Sequence, residues 1–365
     1  MWSRRKPLHG AVIVLGLVLA ARSVGGGLEA AKRPLQALAS AAGVRLGAWV
    51  RGVGLGQRGG PGPSGAAERR RSWSSSAWTE FRPELALGEA AYLCWEVGPR
   101  PAGSVAEQRA AAHLLGALRQ LGCQVGVQDG IPTGAGAGQT RNVIGVLPGP
   151  PGAPRIVLGA HYDTVPRQGA RGANDNASGV GVVLEVVRVL SGRPLPFVLE
   201  IVCFGGEERA LTGVDLLGSK RYVASGALEQ ITTCPAPVIA MVNVDMVGRG
   251  GELHAWSGSA EPTYLTSLLS RSAHALGVGL DTVGTRTGSD HYPFARAGVP
   301  SVWLQSLPDP TNHTPLDRPE NLSAAALQQA GRLLVHALAN IEPEDLRLLR
   351  NCCPNGTQVA RRGGR

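Results

Sequence analysis

The sequence predicts an α/β fold: a three-layer α/β/α sandwich around a mixed, mostly parallel central sheet. Three observations lead there. Short apolar runs alternate with amphipathic segments between Val105 and Ile341, the order of strands and their covering helices. The runs are apolar along their whole length, as in strands buried on both faces. Three of them end directly on ionisable or glycine-glutamate stretches, and the carboxyl ends of such strands are where open α/β sheets place ligands.

With 365 residues, the chain suffices for one large α/β domain or two small ones. Its net charge of +9 is unevenly placed. Residues 1–80 carry 12 Lys/Arg against 3 Asp/Glu, and the remainder carries 24 of each. The folded part is therefore neutral, which removes the support for a nucleic-acid partner, and no nucleic-acid-binding motif is present.

The leader, residues 1–24, begins Met1-Trp2-Ser3-Arg4-Arg5-Lys6 and runs apolar from Gly10 to Ala21. A basic start before a short apolar core is the pattern of a signal peptide. Val18-Leu19-Ala20 or Ala21-Arg22-Ser23 would serve as the cleavage signal, and left uncleaved the run would act as a membrane anchor. The protein is thus expected to be exported: secreted, periplasmic, or anchored facing outside the cytosol. Residues 25–77 read as a low-complexity linker rich in Gly, Arg, Ala and Ser, too poor in apolar surface to offset ordering entropy.

A folded domain is expected over 78–345. Glu84–Val97 reads as a helix stopped by Gly98-Pro99-Arg100-Pro101. Val105–Leu121 is periodic, with Val105, Ala112, Leu115, Leu118 and Leu121 on one face and Gly122 as its cap. Strands are expected at Gln124–Gln128, Asn142–Leu147, Arg155–Ala160, Phe197–Phe204, Val238–Val244 and Val299–Leu304. A buried helix is expected from Ala177 to Leu190, and amphipathic helices at Thr263–Leu276 and Ser323–Ile341. No internal repeat is visible. Residues 346–365 are expected to be a basic flexible tail. The six cysteines match no zinc-finger or redox spacing, and Cys203, inside an apolar strand, reads as a buried thiol.

The ionisable residues recur at one kind of place. His161 and Asp163 follow the strand ending at Ala160, and Asp175 sits in the next loop. Glu207 and Glu208 follow Phe197–Phe204 across Gly205-Gly206. Asp245 follows Val238–Val244, and His313 lies beyond the strand ending at Leu304. If those strands are parallel, these side chains meet at one sheet edge, where so many carboxylates need a cation. Two histidines and three carboxylates suit a pair of zinc ions. Taken alone, His161 to Asp175 also fits a strand-end histidine with an Asx turn, and Glu207-Glu208 a solvated pair. Asp290-His291 offers a third metal pair, whereas His254, His274 and His336 fall in helix or loop contexts without partners.

His161-Tyr162-Asp163, Gly172-Ala173-Asn174-Asp175-Asn176-Ala177-Ser178-Gly179, Gly206-Glu207-Glu208, Asn243-Val244-Asp245-Met246 and His313-Thr314-Pro315 together resemble the zinc aminopeptidases of metallopeptidase clan MH, a group that includes carboxypeptidase Q and the glutaminyl cyclases. The resemblance runs from about Leu85 to Ile341 and also takes in Gly98–Ser104, Arg141-Asn142-Val143 and Ser289–Phe294. It implies a sheet of the zinc-peptidase (phosphorylase/hydrolase-like) type and two Zn2+ per chain. It implies that Asp175 bridges the two metals, that His161 and Asp245 complete one, and that Glu208 and His313 complete the other. Glu207 is then the general base towards a metal-activated water, and Asp163 orients His161. Asp290 and His291 are implied to be supports outside the ligand set, and the Asp175–Asn176 bond to be cis.

One position departs from the pattern: Asn312 stands where secreted relatives often carry a tyrosine that helps stabilise the oxyanion. The implied activity is hydrolysis of the amino-terminal peptide bond of peptide substrates. The alternatives are a single-zinc glutaminyl-peptide cyclotransferase, a dipeptidase or carboxypeptidase of the same group, and a catalytically inactive binding ectodomain. Animal cyclases tend to carry Trp before the last His and a Thr-Asp-Ser type of loop, so Asn312 and Asn174-Asp175-Asn176 favour the peptidase, and the intact ligand set disfavours the inactive ectodomain. Because the excess charge precedes residue 81, deletion of residues 1–76 is expected to leave a soluble, active domain. A truncated protein that loses cooperative thermal unfolding would show instead that the leader packs on the core.

Overall fold

The computed structural model describes residues 77–134, 138–167, 169–208, 213, 215–225, 236–259 and 263–352. The chain divides into two units between Ser74 and Ser75, and every described residue belongs to the second. The expected leader, the linker up to residue 76 and the tail from residue 353 lie outside the described residues.

In chain order the elements are α1 (Pro83–Tyr92), α2 (Val105–Gln120), β1 (Gln124–Pro132), β2 (Gln139–Leu147), β3 (Arg155–His161), α3 (Gly179–Leu190), β4 (Val198–Phe204), α4 (Leu217–Ser225), β5 (Val238–Val244), β6 (Glu252–Ser257), α5 (Tyr264–Leu276), β7 (Leu280–Val283), α6 (His291–Arg296), β8 (Ser301–Leu307), α7 (Ala324–Ala339) and α8 (Pro343–Asn351). Local chemistry sets several boundaries. Ser104 Oγ accepts the Glu107 N–H at 3.0 Å and starts α2. Pro83 begins α1, where its missing N–H costs nothing. Gly277, at φ 64, ends α5 in the left-handed conformation. α3 is rich in valine, a poor helix former, and holds because almost every residue in it is buried.

All eight strands form one sheet in the order β1-β2-β4-β3-β5-β8-β6-β7. The inner strands β4, β3, β5 and β8 are mutually parallel. The pairs β1–β2, β2–β4 and β8–β6 are antiparallel, and β6–β7 is parallel. On one face Ile144, Val146, Val157, Val202, Phe204 and Met241 pack with Tyr222 of α4 and Phe294 of α6. On the other, α3 packs on β3 and β5 and against α1 and α7, and Leu118 of α2 closes over Gly145. Helices thus cover both faces, the expected three layers.

The structure differs from the sequence reading in several places, among them the helices α4 and α6, which were not expected, and β1, which runs on to Pro132. The edge pair β6–β7 was not expected: its strands are short and half-exposed, so they lack the continuous apolar run that betrays a buried strand. His254 lies in β6, with its Nδ1 3.3 Å from Asp281 Oδ2, rather than in a helix or loop without a partner. The expected tail from 346 begins inside α8, because Leu346 and Leu349 are buried and Glu342 and Asp345 cap the helix reciprocally. The last inner strand is β8, Ser301–Leu307, displaced by two to three residues from Val299–Leu304. Among the described residues, no helix is long and apolar enough to cross a membrane.

Phe204 is fully buried and meets the rings of Tyr222 and Phe294 edge-on, with both centroid distances at 6.1 Å. Phe204→Ala is expected to cost about 3–5 kcal/mol, read as a lowered urea midpoint at an unchanged slope.

Candidate metal centre

The parallel strands β3, β4, β5 and β8 deliver their carboxyl ends to one edge. His161 is the last residue of β3 and lies level with Phe204, the last of β4. Gly205-Gly206 then turns the chain so that Glu207 and Glu208 face back. A side chain at Gly205 would collide with the Thr140 hydroxyl and the Arg141 carbonyl, and Gly206 takes φ +70. Only glycine fits both positions. Asp163 fixes the outcome: its Oδ1 accepts the Glu207 N–H at 3.1 Å and its Oδ2 the Glu208 N–H at 3.2 Å. One buried carboxylate thereby sets the direction of both glutamates, while its Oδ1 lies 3.6 Å from His161 Nδ1.

Asp175 occupies a turn before α3, and the Asp175–Asn176 bond is cis, as the resemblance implied. Its two carboxylate oxygens point to different histidines. Oδ1 lies 3.1 Å from His161 Nε2, and Oδ2 lies 3.0 Å from His313 Nε2. Asp245 Oδ1 stands 3.3 Å from His161 Nε2, and Glu208 Oε1 stands 3.1 Å from His313 Nε2. The side chains therefore form two adjoining groups, His161/Glu207/Asp245 and Asp175/Glu208/His313, each with donor atoms within 4.8 Å of one another. All seven residues singled out from the sequence come together here. Asp290 is fully buried nearby and belongs to neither group. His291 turns its Nε2 to the Arg286 carbonyl at 2.7 Å and is not in either group.

Electrostatics follow from burial and proximity. Burial pushes the Glu207 carboxyl well above the usual range, with His161 opposing. Burial and the neighbouring Asp175 raise Glu208 to about 7. The carboxylates of Asp175 and Glu208 raise His313 to about 10. Burial disfavours charge on Asp175, yet its contacts with His161 and His313 hold it below the usual carboxylate range. Burial likewise opposes a charge on His161, but Glu207 and Asp245 more than offset it and raise it well above its usual value. So many carboxylates in so dry a place call for positive charge between them.

The donors fit a metal. His161 Nε2 and Asp245 Oδ1 are buried without a hydrogen-bond partner, and imidazole nitrogen with carboxylate oxygen suits zinc. His161, Asp175, Glu208, Asp245 and His313 are the residues that would hold it.

Several supports were not read as such from the sequence. Asp317 accepts the N–H groups of Asn174 and Asp175 at 2.6 and 3.2 Å and so pins the Asp175 turn. Arg100 is fully buried, and its guanidinium donates to the carbonyls of Tyr162, Arg171 and Gly172, tying the loop after His161 to the loop before Asp175. Ser289 Oγ donates to Asp245 Oδ2 at 2.6 Å and accepts from Asn243 Nδ2 at 2.7 Å. Asn176 accepts the N–H groups of Gly179 and Met246, which ties the turn to the end of β5. Gly98–Ser104 and Ser289–Phe294 marked two of these supports as motifs, but Asp317 stood outside every motif quoted.

A family model for peptidase family M28 matches residues 142–338, the span that holds every one of the seven residues. The chain belongs to peptidase family M28. Among curated relatives, it is 35% identical over 213 residues to aminopeptidase YwaD of Bacillus subtilis, covering 54% of this chain and 44% of that protein. A probable leucine aminopeptidase of Arthroderma otae is 27% identical over 197 residues, covering 49% and 52%. The chain thus spans about half the length of the curated relatives it matches. Among solved structures, BSAP, a zinc aminopeptidase from Bacillus subtilis, superposes with TM-score 0.62 at 21% identity, covering 70% of this M28 chain and 94% of that one, which bears on the fold.

An amide at position 317 has one acceptor oxygen where the carboxylate has two, so Asp317→Asn strands one buried N–H of the Asp175 turn. Zinc affinity is expected to fall roughly 10–100-fold, the usual range for a partner of a metal ligand, measured by competition with a chromophoric chelator.

Proposed function

We propose that this M28 chain is a zinc-dependent exopeptidase that hydrolyses the amino-terminal peptide bond of peptides. The observation that carries the reading is Asp175, whose two oxygens face His161 and His313 separately, the disposition of a carboxylate shared between two cations. We propose accordingly that two zinc ions bind per chain, one by His161 and Asp245, the other by Glu208 and His313, with Asp175 between them. Zinc bound there supplies Lewis acidity towards the peptide carbonyl and towards a water molecule.

Glu207 is assigned as the general base. Its Oε2 stands 4.0 Å from His161 Nε2, whereas Asp175 Oδ1 stands at 3.1 Å and takes the ligand position. A base must take up and release a proton, and a carboxylate beside the donor set that is not itself needed as a ligand is free for that task. The proton of the attacking water passes to Glu207 and then to the leaving amine. Asp163 holds the Glu207 backbone, so the carboxylate keeps its direction during both transfers. Asn312 directs one amide N–H to Met246 Sδ at 3.3 Å, and its side chain is shorter than the tyrosine that some relatives carry at this position, so it reaches less far towards an oxyanion.

The site opens on the His313 side, whose side chain is 35% exposed, which gives a peptide access while the other donors stay dry. The basic and then apolar leader supports an exported protein, either released or anchored through that segment. A single zinc bound without His161 and Asp245, together with turnover of glutaminyl peptides, would favour the cyclotransferase.

Glu207→Gln keeps the shape of the side chain but accepts no proton. It is expected to lower kcat by at least ~10²-fold with zinc content near two per chain. Glu208→Gln removes a ligand charge and is expected to lose zinc, with activity partly restored by added metal. Metal analysis and steady-state kinetics on both variants check this; rescue of Glu207→Gln by zinc would reverse the two assignments.

A further inference from the structure

Arg286 lies in the loop that leads from β7 into Ser289. Its guanidinium carbon is 4.9 Å from the ring centroid of Trp256 and 4.7 Å from that of Trp303. Nη1 donates to Gln305 Oε1 at 2.8 Å, an oxygen that also accepts from Trp256 Nε1 at 3.1 Å. Among the described residues no carboxylate pairs with Arg286, and none of its nitrogens is buried without a partner. Nε and Nη2 therefore face solvent with their donors free.

This cation is linked to the metal centre through neighbouring side chains. Trp303, against which it stacks, donates Nε1 to the Asp245 carbonyl at 3.0 Å. Gln305, which it binds, donates Nε2 to Met246 Sδ at 3.4 Å, the sulfur that also accepts from Asn312, the neighbour of His313. One side chain separates Arg286 from Asp245, and two separate it from Asn312.

An arginine laid over two indoles and hydrogen-bonded to Gln305 has already given up much of its rotamer freedom, so little more is lost when it binds. Its planar fork matches a carboxylate with two parallel hydrogen bonds. The ammonium group of a peptide's amino end is repelled from this position, so the leaving side of the substrate is the part that approaches it. We infer that Arg286 receives a carboxylate on the leaving side of the substrate, either the C-terminal carboxylate of a short peptide or an acidic side chain next to the cleaved bond. This rests on the peptidase reading above and narrows it towards short or acidic peptides.

The test separates binding from turnover. Zinc-loaded Glu207→Gln protein is titrated calorimetrically with leucyl-glycine, leucyl-glycinamide and leucyl-aspartamide bearing a free side-chain carboxylate. At least one carboxylate ligand is expected to bind about tenfold tighter than leucyl-glycinamide, the size of one charge-assisted contact. Preference for leucyl-glycine identifies the C-terminal carboxylate, and preference for the aspartyl amide identifies a side chain. Adding Arg286→Gln is expected to bring the affinities close to parity, and Arg286→Lys to retain part of the difference. Equal binding of all three ligands in the protein that keeps Arg286, no binding of any, or a preference that survives Arg286→Gln would each overturn the inference. The first comparison needs no change at position 286, so it stands even if those variants fold poorly. Failure of the unsubstituted protein to hydrolyse leucyl-glycine and leucyl-glycinamide is a separate result that counts against the peptidase reading.

Discussion

The Asp175 carboxylate, set between the imidazoles of His161 and His313, is the constraint on which the rest of the site depends. A carboxylate with an oxygen for each of two cationic partners has to be held from behind, since a shift of a fraction of an ångström favours one side over the other. The chain holds it through backbone rather than through the side chain itself. Asp317 grips the N–H groups of the turn, and the buried Arg100 binds the carbonyls that lead into it. The Arg100 guanidinium finds carbonyl acceptors in both loops and at Gly98, so its desolvation is offset by several acceptors. The same guanidinium holds the Tyr162 carbonyl, next to His161, and so sets the spacing between the two halves of the donor set.

The sheet makes this arrangement reachable. Parallel neighbours end on the same side, so β3, β4 and β5 place His161, Glu207-Glu208 and Asp245 together although these residues span more than eighty positions of sequence. Backbone permissiveness then refines the aim. Gly205 passes where any side chain would strike Thr140, and Gly206 reverses direction at φ +70. His313 and Met246 take left-handed backbone at φ 57 and 62 without being glycine. Residues in that region cost energy and persist where surrounding contacts determine them, as they do beside a functional site.

The rim of the site differs in character from its floor. The floor is a dry set of carboxylates and imidazoles whose crowding calls for positive charge. The rim, from Trp256 through Arg286 to Trp303 and Gln305, is aromatic and cationic and borders solvent. Family membership speaks to the floor, since the seven residues there lie within the matched span. The inferred carboxylate contact falls at the rim, formed by a loop and by side chains of β6 and β8.

The sequence by itself determined the inner sheet and the donor set. Buried parallel strands are apolar throughout, so β3, β4 and β5 were visible as runs, and the ionisable residues that follow them stood out against that background. His161, Asp163, Asp175, Glu207, Glu208, Asp245 and His313 were all legible this way, helped by motifs in the order of a known family. Only the tertiary structure decided the edges and the supports. β6 and β7 are short and half-exposed and carry no apolar run to announce them, and His254 looked isolated because Asp281 reaches it from a different strand. The basic tail that follows hid α8, whose packing depends on two leucines, Leu346 and Leu349, and a cap. Asp317 and Arg100 act through backbone N–H and carbonyl groups of segments far away in sequence, and Arg286 is placed by two tryptophans from different strands. Contacts of that kind leave no periodicity and no local spacing, because the partner is backbone or is brought in by the fold.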